Sequence, residues 1–172
     1  MFTKIKYCVL KLFLNEAIKR DIPYWIDDYH PDIWTLFSYA EFRSLLYYRN
    51  KHIPAIVKYI FKDQNNLVID CEHIDEGLML IHAHNTEIYA DSIGRGVKIW
   101  HNVYVGNTEG GGFPIIGNNV YIYTGAIING AVSIGDNSII GAGSVVTSDV
   151  PENSCMVGNP ARNLSQATKG NG

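Results

Sequence analysis

The sequence predicts a mainly-β protein, a parallel β-helix built from hexapeptide repeats with a small α-helical segment in front of it. Three observations carry this. Ile93, Ile99 and Val105 stand six apart, a five-residue insertion follows, and the count resumes at Ile116, Ile122, Ile128, Ile134, Ile140 and Val146. Four residues after these anchors come Val97, Val103, Val120, Ala126, Val132, Ser138, Ser144 and Val150, small enough to share a narrow interior. The position after the anchor is often glycine, at Gly94, Gly106, Gly117, Gly135 and Gly141, where a corner needs positive φ or no Cβ. A period of six fits neither an amphipathic helix nor a simple alternating strand. The six prolines agree, since all lie outside the regular hexads and a strand paired on both sides cannot spare an N–H. Three hexads make one triangular turn, and strands on successive turns lie roughly 4.8 Å apart.

Taken in order, Phe2, Ile5, Val9, Leu12 and Phe13 follow helical spacing beside Lys4, Lys6, Lys11, Lys19 and Arg20, which predicts an amphipathic helix of four or five turns. Such a helix can lie on an anionic membrane, but packing on the rest of the protein is the expectation, without membrane contact. A loop is expected from Asp21 to His30. Pro31 then suits the first turn of a second helix, from about Asp32 to Asn50, through Trp34, Phe37, Tyr39, Phe42, Leu45, Leu46, Tyr47 and Tyr48. Its apolar residues go nearly all the way round, so it should sit among helices and against another subunit. A third, short helix is expected from Pro54 to Phe61. At Leu67 the composition changes: no Lys or Arg occurs before Ser92, while Asp70, Glu72, Asp75, Glu76, Glu87 and Asp91 are acidic. Val68, Ile74 and Leu80, six apart, mark an irregular first turn. Thirteen residues rather than twelve separate Leu80 from Ile93, which implies a bulge, a feature that re-aims side chains beside active sites. The organisation is therefore a helical segment over residues 1–66, a β-helix over 67–164 and a flexible tail over 165–172.

Composition narrows the class. The chain of 172 residues is one domain with an appendage, and a net charge of −3 argues against nucleic acid as the main partner. Cys8, Cys71 and Cys155 are odd in number and far apart, which suits a reducing compartment. The apolar run from Tyr7 to Leu14 is interrupted by Lys11 and too short to span a bilayer, so a cytoplasmic location is expected.

The chemistry-bearing residues cluster around the first turns. His82 lies two places after Leu80, and His101 two places after Ile99, so the two should stack on neighbouring turns of one face. Taken alone, His84 and His101 read as packed or solvated corner residues as readily as catalytic ones. Gly77-Leu78-Met79-Leu80-Ile81-His82, the hexads, Gly141-Ala142-Gly143-Ser144-Val145-Val146 and Val157-Gly158-Asn159-Pro160-Ala161-Arg162 together resemble the serine acetyltransferase branch of the hexapeptide acyltransferases, over roughly Leu67 to Leu164. Tyr39 to Arg49 also resembles the helix before the β-helix in that branch.

The resemblance implies a left-handed β-helix, a homotrimer with active sites between subunits, and acetyl transfer from acetyl-CoA without a metal. His82 would be the general base, taking the proton of an acceptor hydroxyl and returning it to the departing thiolate. Backbone N–H groups at the coil corner would stabilise the oxyanion. By position, coenzyme A contacts fall at Asn107, Thr124, Ala142 and Gly143, with Arg162 toward the nucleotide phosphates. His101 and Glu72 would support the acceptor site, and either Glu72 or a backbone carbonyl would orient His82.

This chain departs from the family pattern on the acceptor side. Members acting on serine have aspartate at the positions of Ile81 and Leu67, and the loop Thr108 to Pro114 holds no histidine. Serine's charged groups would lack their partners, so a sugar of surface polysaccharide synthesis is the expected acceptor, with serine the alternative. Two further readings stay open: a γ-carbonic-anhydrase-like zinc protein using His82, His84 and His101, and a non-catalytic scaffold whose aromatic helices bind a partner.

Overall fold

The computed structural model describes residues 12–29, 33–107 and 110–164. They form two compact units divided between Asn65 and Asn66. In the first, α1 spans Glu16–Tyr29, α2 Ile33–Leu36, α3 Ala40–Arg49 and α4 Ala55–Ile60. Most of the helix expected from Phe2 lies outside the described residues.

The segment expected as a loop from Asp21 is helical through Tyr29, with Pro23 inside it. Tertiary contacts override the turn-like composition. Asn15 Oδ1 accepts the Ile18 N–H at 3.0 Å, satisfying a first-turn donor that has no partner within the helix. One turn on, Asp21 is fully buried and accepts Arg49 Nε and Nη2, both at 3.1 Å. The helix expected from Asp32 to Asn50 is broken at Phe37–Tyr39. There the Ser38 and Tyr39 N–H groups turn back to Thr35 and Leu36, and Arg43 Nη1 caps the Phe37 and Ser38 carbonyls at 2.8 Å each. The break lets Phe37 meet Phe42 edge-on at 5.7 Å, with Trp25 at 5.4 Å from the same ring. Phe42, Leu45, Leu46 and Tyr47 of α3 are thereby buried within the chain.

The second unit is the β-helix. One face stacks β2 (Met79–Leu80), β4 (Lys98–Ile99), β7 (Tyr121–Ile122), β10 (Ile139–Ile140) and β12 (Cys155–Val157) in parallel, and β13 (Arg162–Asn163) closes it antiparallel. The other two faces share one sheet, because β1 (Leu67–Ile74) and β3 (Thr86–Ile93) run through the corner between them. β5 (Tyr104–Gly106), β8 (Ile127–Asn129) and β11 (Val145–Val146) stack on the first half of β3, while β6 (Ile115–Ile116) and β9 (Ser133–Ile134) stack on its second half. All nine anchors and the eight small residues four places on are buried. The buried Ser138 and Ser144 hydroxyls donate to the Pro151 and Met156 carbonyls, so neither is left unpaired in the core.

Three expectations change. Val68 does not anchor the first turn: β1 is continuous, its side chains alternate, and Cys71 points in while Val68 is 40% exposed. The bulge is larger than one residue. Eight residues separate Leu80 from Ile88 where six separate their partners Ile99 and Val105, and the uninterrupted β3 takes one back by leaving five between Ile88 and Ile93. The repeat glycines serve by lacking a Cβ. A Cβ on Gly135 would stand 2.4 Å from the Glu152 nitrogen of the next coil. The positive φ falls two places later, on residues such as Gly96, Asn119, Asn137 and Gly143.

Candidate active site

The corner leading from the β2 face to β3 carries most of the residues singled out from sequence. Its rungs are fixed by backbone bonds from each coil to the one before: Asn102 N–H to His84 O, Gly125 N–H to His101 O, and Gly143 N–H to Thr124 O. His84, His101, Thr124 and Ala142 therefore stand in one column. Left-handed residues mark the same corner on each coil, Asn66, Asn85 and Asn102 and then Gly125 and Gly143. Asn66 Nδ2 donates to Asn85 Oδ1 at 3.0 Å.

The ring over His101 belongs to His84, not to His82. The two imidazoles lie 4.8 Å apart and 11° from parallel. The two surplus residues of this corner are taken up by a tight turn in which His82 adopts φ +50 and the His84 N–H bonds back to the His82 carbonyl at 2.7 Å. That turn lifts His82 out of the column and leaves it exposed. Thr86, fully buried, holds the turn in place: its hydroxyl reaches the His84 and Trp100 carbonyls at 3.3 and 3.2 Å. Beneath the stack, His101 Nδ1 is buried without a hydrogen-bond partner among the described residues. Ile81 and Leu67 flank the corner; Leu67 lies across from Thr86 in the β1–β3 ladder.

Two predicted residues are elsewhere. Glu72 lies five residues along β1 from Leu67, at the corner between the other two faces, so it does not orient His82. Asn107 leads into the insertion at that same corner, and its Nδ2 donates to the Gly110 and Gly112 carbonyls at 2.8 and 2.7 Å, tying the base of the loop. At this corner Asp70, Cys71, Glu72, Ala90, Asp91 and Phe113 line a cavity of about 260 Å³. The Phe113 N–H reaches Asp91 Oδ2 at 3.3 Å, and its ring lies 6.4 Å from that of Tyr89. Sequence reasoning did not bring these residues together, because the contact depends on how the insertion folds back.

Ala142 and Gly143 are exposed on the last rung, and a Cβ on Gly143 would meet nothing within 4 Å. The column of His84, His101, Thr124 and Ala142 therefore ends on open backbone. Arg162 is exposed on β13, and the Ala161 N–H bonds back to the Val145 carbonyl. The N–H groups of His84, Asn102, Gly125 and Gly143 are all committed to carbonyls, so these corner amides are not available to an oxyanion. Among the described residues no three His, Cys, Asp or Glu side chains are grouped to hold a metal, and no helix is long and apolar enough to cross a membrane.

Comparison with known proteins bears on this corner. Residues 113–148 match the family described as bacterial transferase hexapeptide (six repeats). Over 95 residues the chain is 41% identical to a putative serine acetyltransferase of Schizosaccharomyces pombe, covering 53% of this chain and 35% of that one. It is 56% identical over 57 residues to the galactoside O-acetyltransferase of Escherichia coli, covering 33% and 28%. The structure resembles that of the Neisseria gonorrhoeae serine acetyltransferase in complex with serine, with a TM-score of 0.70 and 27% identity, covering 87% of this chain and 68% of that one. The sequence matches span about a third or less of these two relatives' lengths. In its repeats and in its fold, the β-helix resembles the hexapeptide-repeat acyltransferases, and most of all their serine acetyltransferase-like branch.

Proposed function

We propose that the protein is an O-acetyltransferase that moves the acetyl group of acetyl-CoA to a hydroxyl acceptor, with His82 as general base. The observation that carries this is the His82 turn: an exposed imidazole held at φ +50 beside a column that ends on the exposed Ala142 and Gly143. His82 takes the proton from the acceptor hydroxyl as its oxygen attacks the thioester carbonyl. Collapse of the tetrahedral intermediate breaks the C–S bond, and the same imidazole returns the proton to the thiolate. Thr124, Ala142 and Gly143 line the path of the pantetheine arm, and Arg162 meets the nucleotide phosphates. Active sites lie between the subunits of a trimer.

The likenesses favour serine as acceptor over the sugar expected from the sequence, since the Schizosaccharomyces pombe relative is described as a putative serine acetyltransferase and the Neisseria gonorrhoeae structure is that of a serine acetyltransferase in complex with serine. The sugar reading keeps specific support from the apolar Ile81 and Leu67, from Phe113 in a loop without histidine, and from the galactoside relative. A thiol-release assay with acetyl-CoA separates them, with serine in one series and a panel of sugars and nucleotide sugars in the other. Turnover with serine supports the first acceptor and turnover with a sugar alone the second. No thiol release with any hydroxyl acceptor overturns the proposal.

A further inference from the structure

α4 carries two apolar stripes, and among the described residues only one of them is buried. Ile53, Val57 and Phe61, four residues apart, are buried at 5%, 8% and 7% exposure. On the other side Ile56, Tyr59 and Ile60 are 62%, 75% and 56% exposed. Spacings of three and four put these three side by side on the outer face of the helix. A soluble helix normally turns polar residues to that face.

The stripe is framed by positive charge. Lys51 and Lys62 are exposed at either end of it. Lys58, within the helix, turns back so that its Nζ lies 5.5 Å from the Tyr47 ring centre. Asp63 is the only acidic residue between Asn50 and Asn66. The charge extends through the unit: residues 1–65 hold ten Lys and Arg against seven Asp and Glu, while residues 66–172 hold four against ten.

We infer that this face of α4 docks the protein on an anionic lipid surface. Two isoleucines and a tyrosine on a convex helix of six residues fall far short of the roughly 800 Å² that each partner buries in a stable protein complex. They suit shallow insertion at a headgroup boundary, where tyrosine keeps its hydroxyl in water and its ring in the apolar layer, and lysine stems lie along the surface with their ammonium groups at the phosphates. Contact would be reversible and salt-sensitive, because neither the apolar stripe nor the lysines suffice alone. The inference is independent of the acceptor.

Flotation of the full chain with vesicles tests it, using phosphatidylcholine alone and phosphatidylcholine mixed with phosphatidylglycerol. Binding is expected to the mixed vesicles and to weaken as salt is raised. The variant I56S/Y59S/I60S should lose at least about tenfold in partitioning. The variant K51E/K62E should lose roughly fivefold for each lysine removed. Since all five side chains are exposed, both variants should keep the wild-type circular dichroism and thiol-release rate. Absence of binding to anionic vesicles, or equal binding by the wild type and I56S/Y59S/I60S, overturns the inference. So does light scattering in which that variant drops to a smaller assembly than the wild type, since the stripe would then belong to a second copy of the chain.

Discussion

At the scale of the residue, His82 and Gly135 show two ways in which one position constrains the whole. His82 occupies a left-handed conformation that costs a non-glycine residue about 1 kcal/mol or more, and the hydroxyl of the buried Thr86 helps to hold the turn. His82→Ala should lower acetyl transfer by about two to four orders of magnitude, with acetyl-CoA binding and the circular dichroism spectrum unchanged. A variant that retains full turnover would remove His82 as the base. Ala142→Leu should act on the other substrate: the exposed rung carries no packing load, so the chain stays folded while the KM for acetyl-CoA rises. Gly135→Ala is a question of space alone. Its new methyl would overlap the Glu152 backbone, and a loss of about 1–3 kcal/mol in denaturant unfolding is expected.

Elements are decided by the contacts that fall between them. α1 persists through Asp21 and Pro23 because Asp21 forms a two-bond pair with Arg49 of α3, at 0% and 10% side-chain exposure. Breaking such a pair strands a buried cation. Asp21→Ala should therefore destabilise the helical unit by about 3–5 kcal/mol, read from the Trp25 environment, and leave the β-helix intact. In the β-helix the corners are held locally. Asn118 donates its N–H and Nδ2 to Asp136 at 2.7 and 3.0 Å, and these bonds hold the Asp136 carboxyl below the usual carboxylate range.

For the molecule as a whole, the chain divides into two compact units. Tyr47 belongs to the helical unit, where its hydroxyl donates to the Phe61 carbonyl. Burial pushes its phenol up to about 12, with Arg43 opposing and Asp63 adding. A phenol raised above its unfolded value of 10 favours the folded state fully below pH 10, and that contribution is lost as pH rises toward 12. The helical unit should lose roughly 2 kcal/mol across that window. Tyr47→Phe should flatten this alkaline decline in a pH series of unfolding midpoints; an unchanged decline would assign it to other tyrosines.

The sequence by itself determined the β-helix and its core, because a six-residue period writes each interior position into the chain and neighbouring coils repeat the same contact. It also located the corner that carries His82, Thr124, Ala142 and Gly143, since residues eighteen apart must stack once the hexads are regular. Where the repeat breaks, counting failed. The surplus at residues 81–85 was divided between a turn and a straightened strand, so His84 rather than His82 came to rest on His101. Only the tertiary structure could assign Glu72 and Asn107 to another corner, or make a helix of the segment after Asp21. Those outcomes depend on partners distant in sequence, Phe113 for the cavity and Arg49 for the buried carboxylate, which no local period encodes.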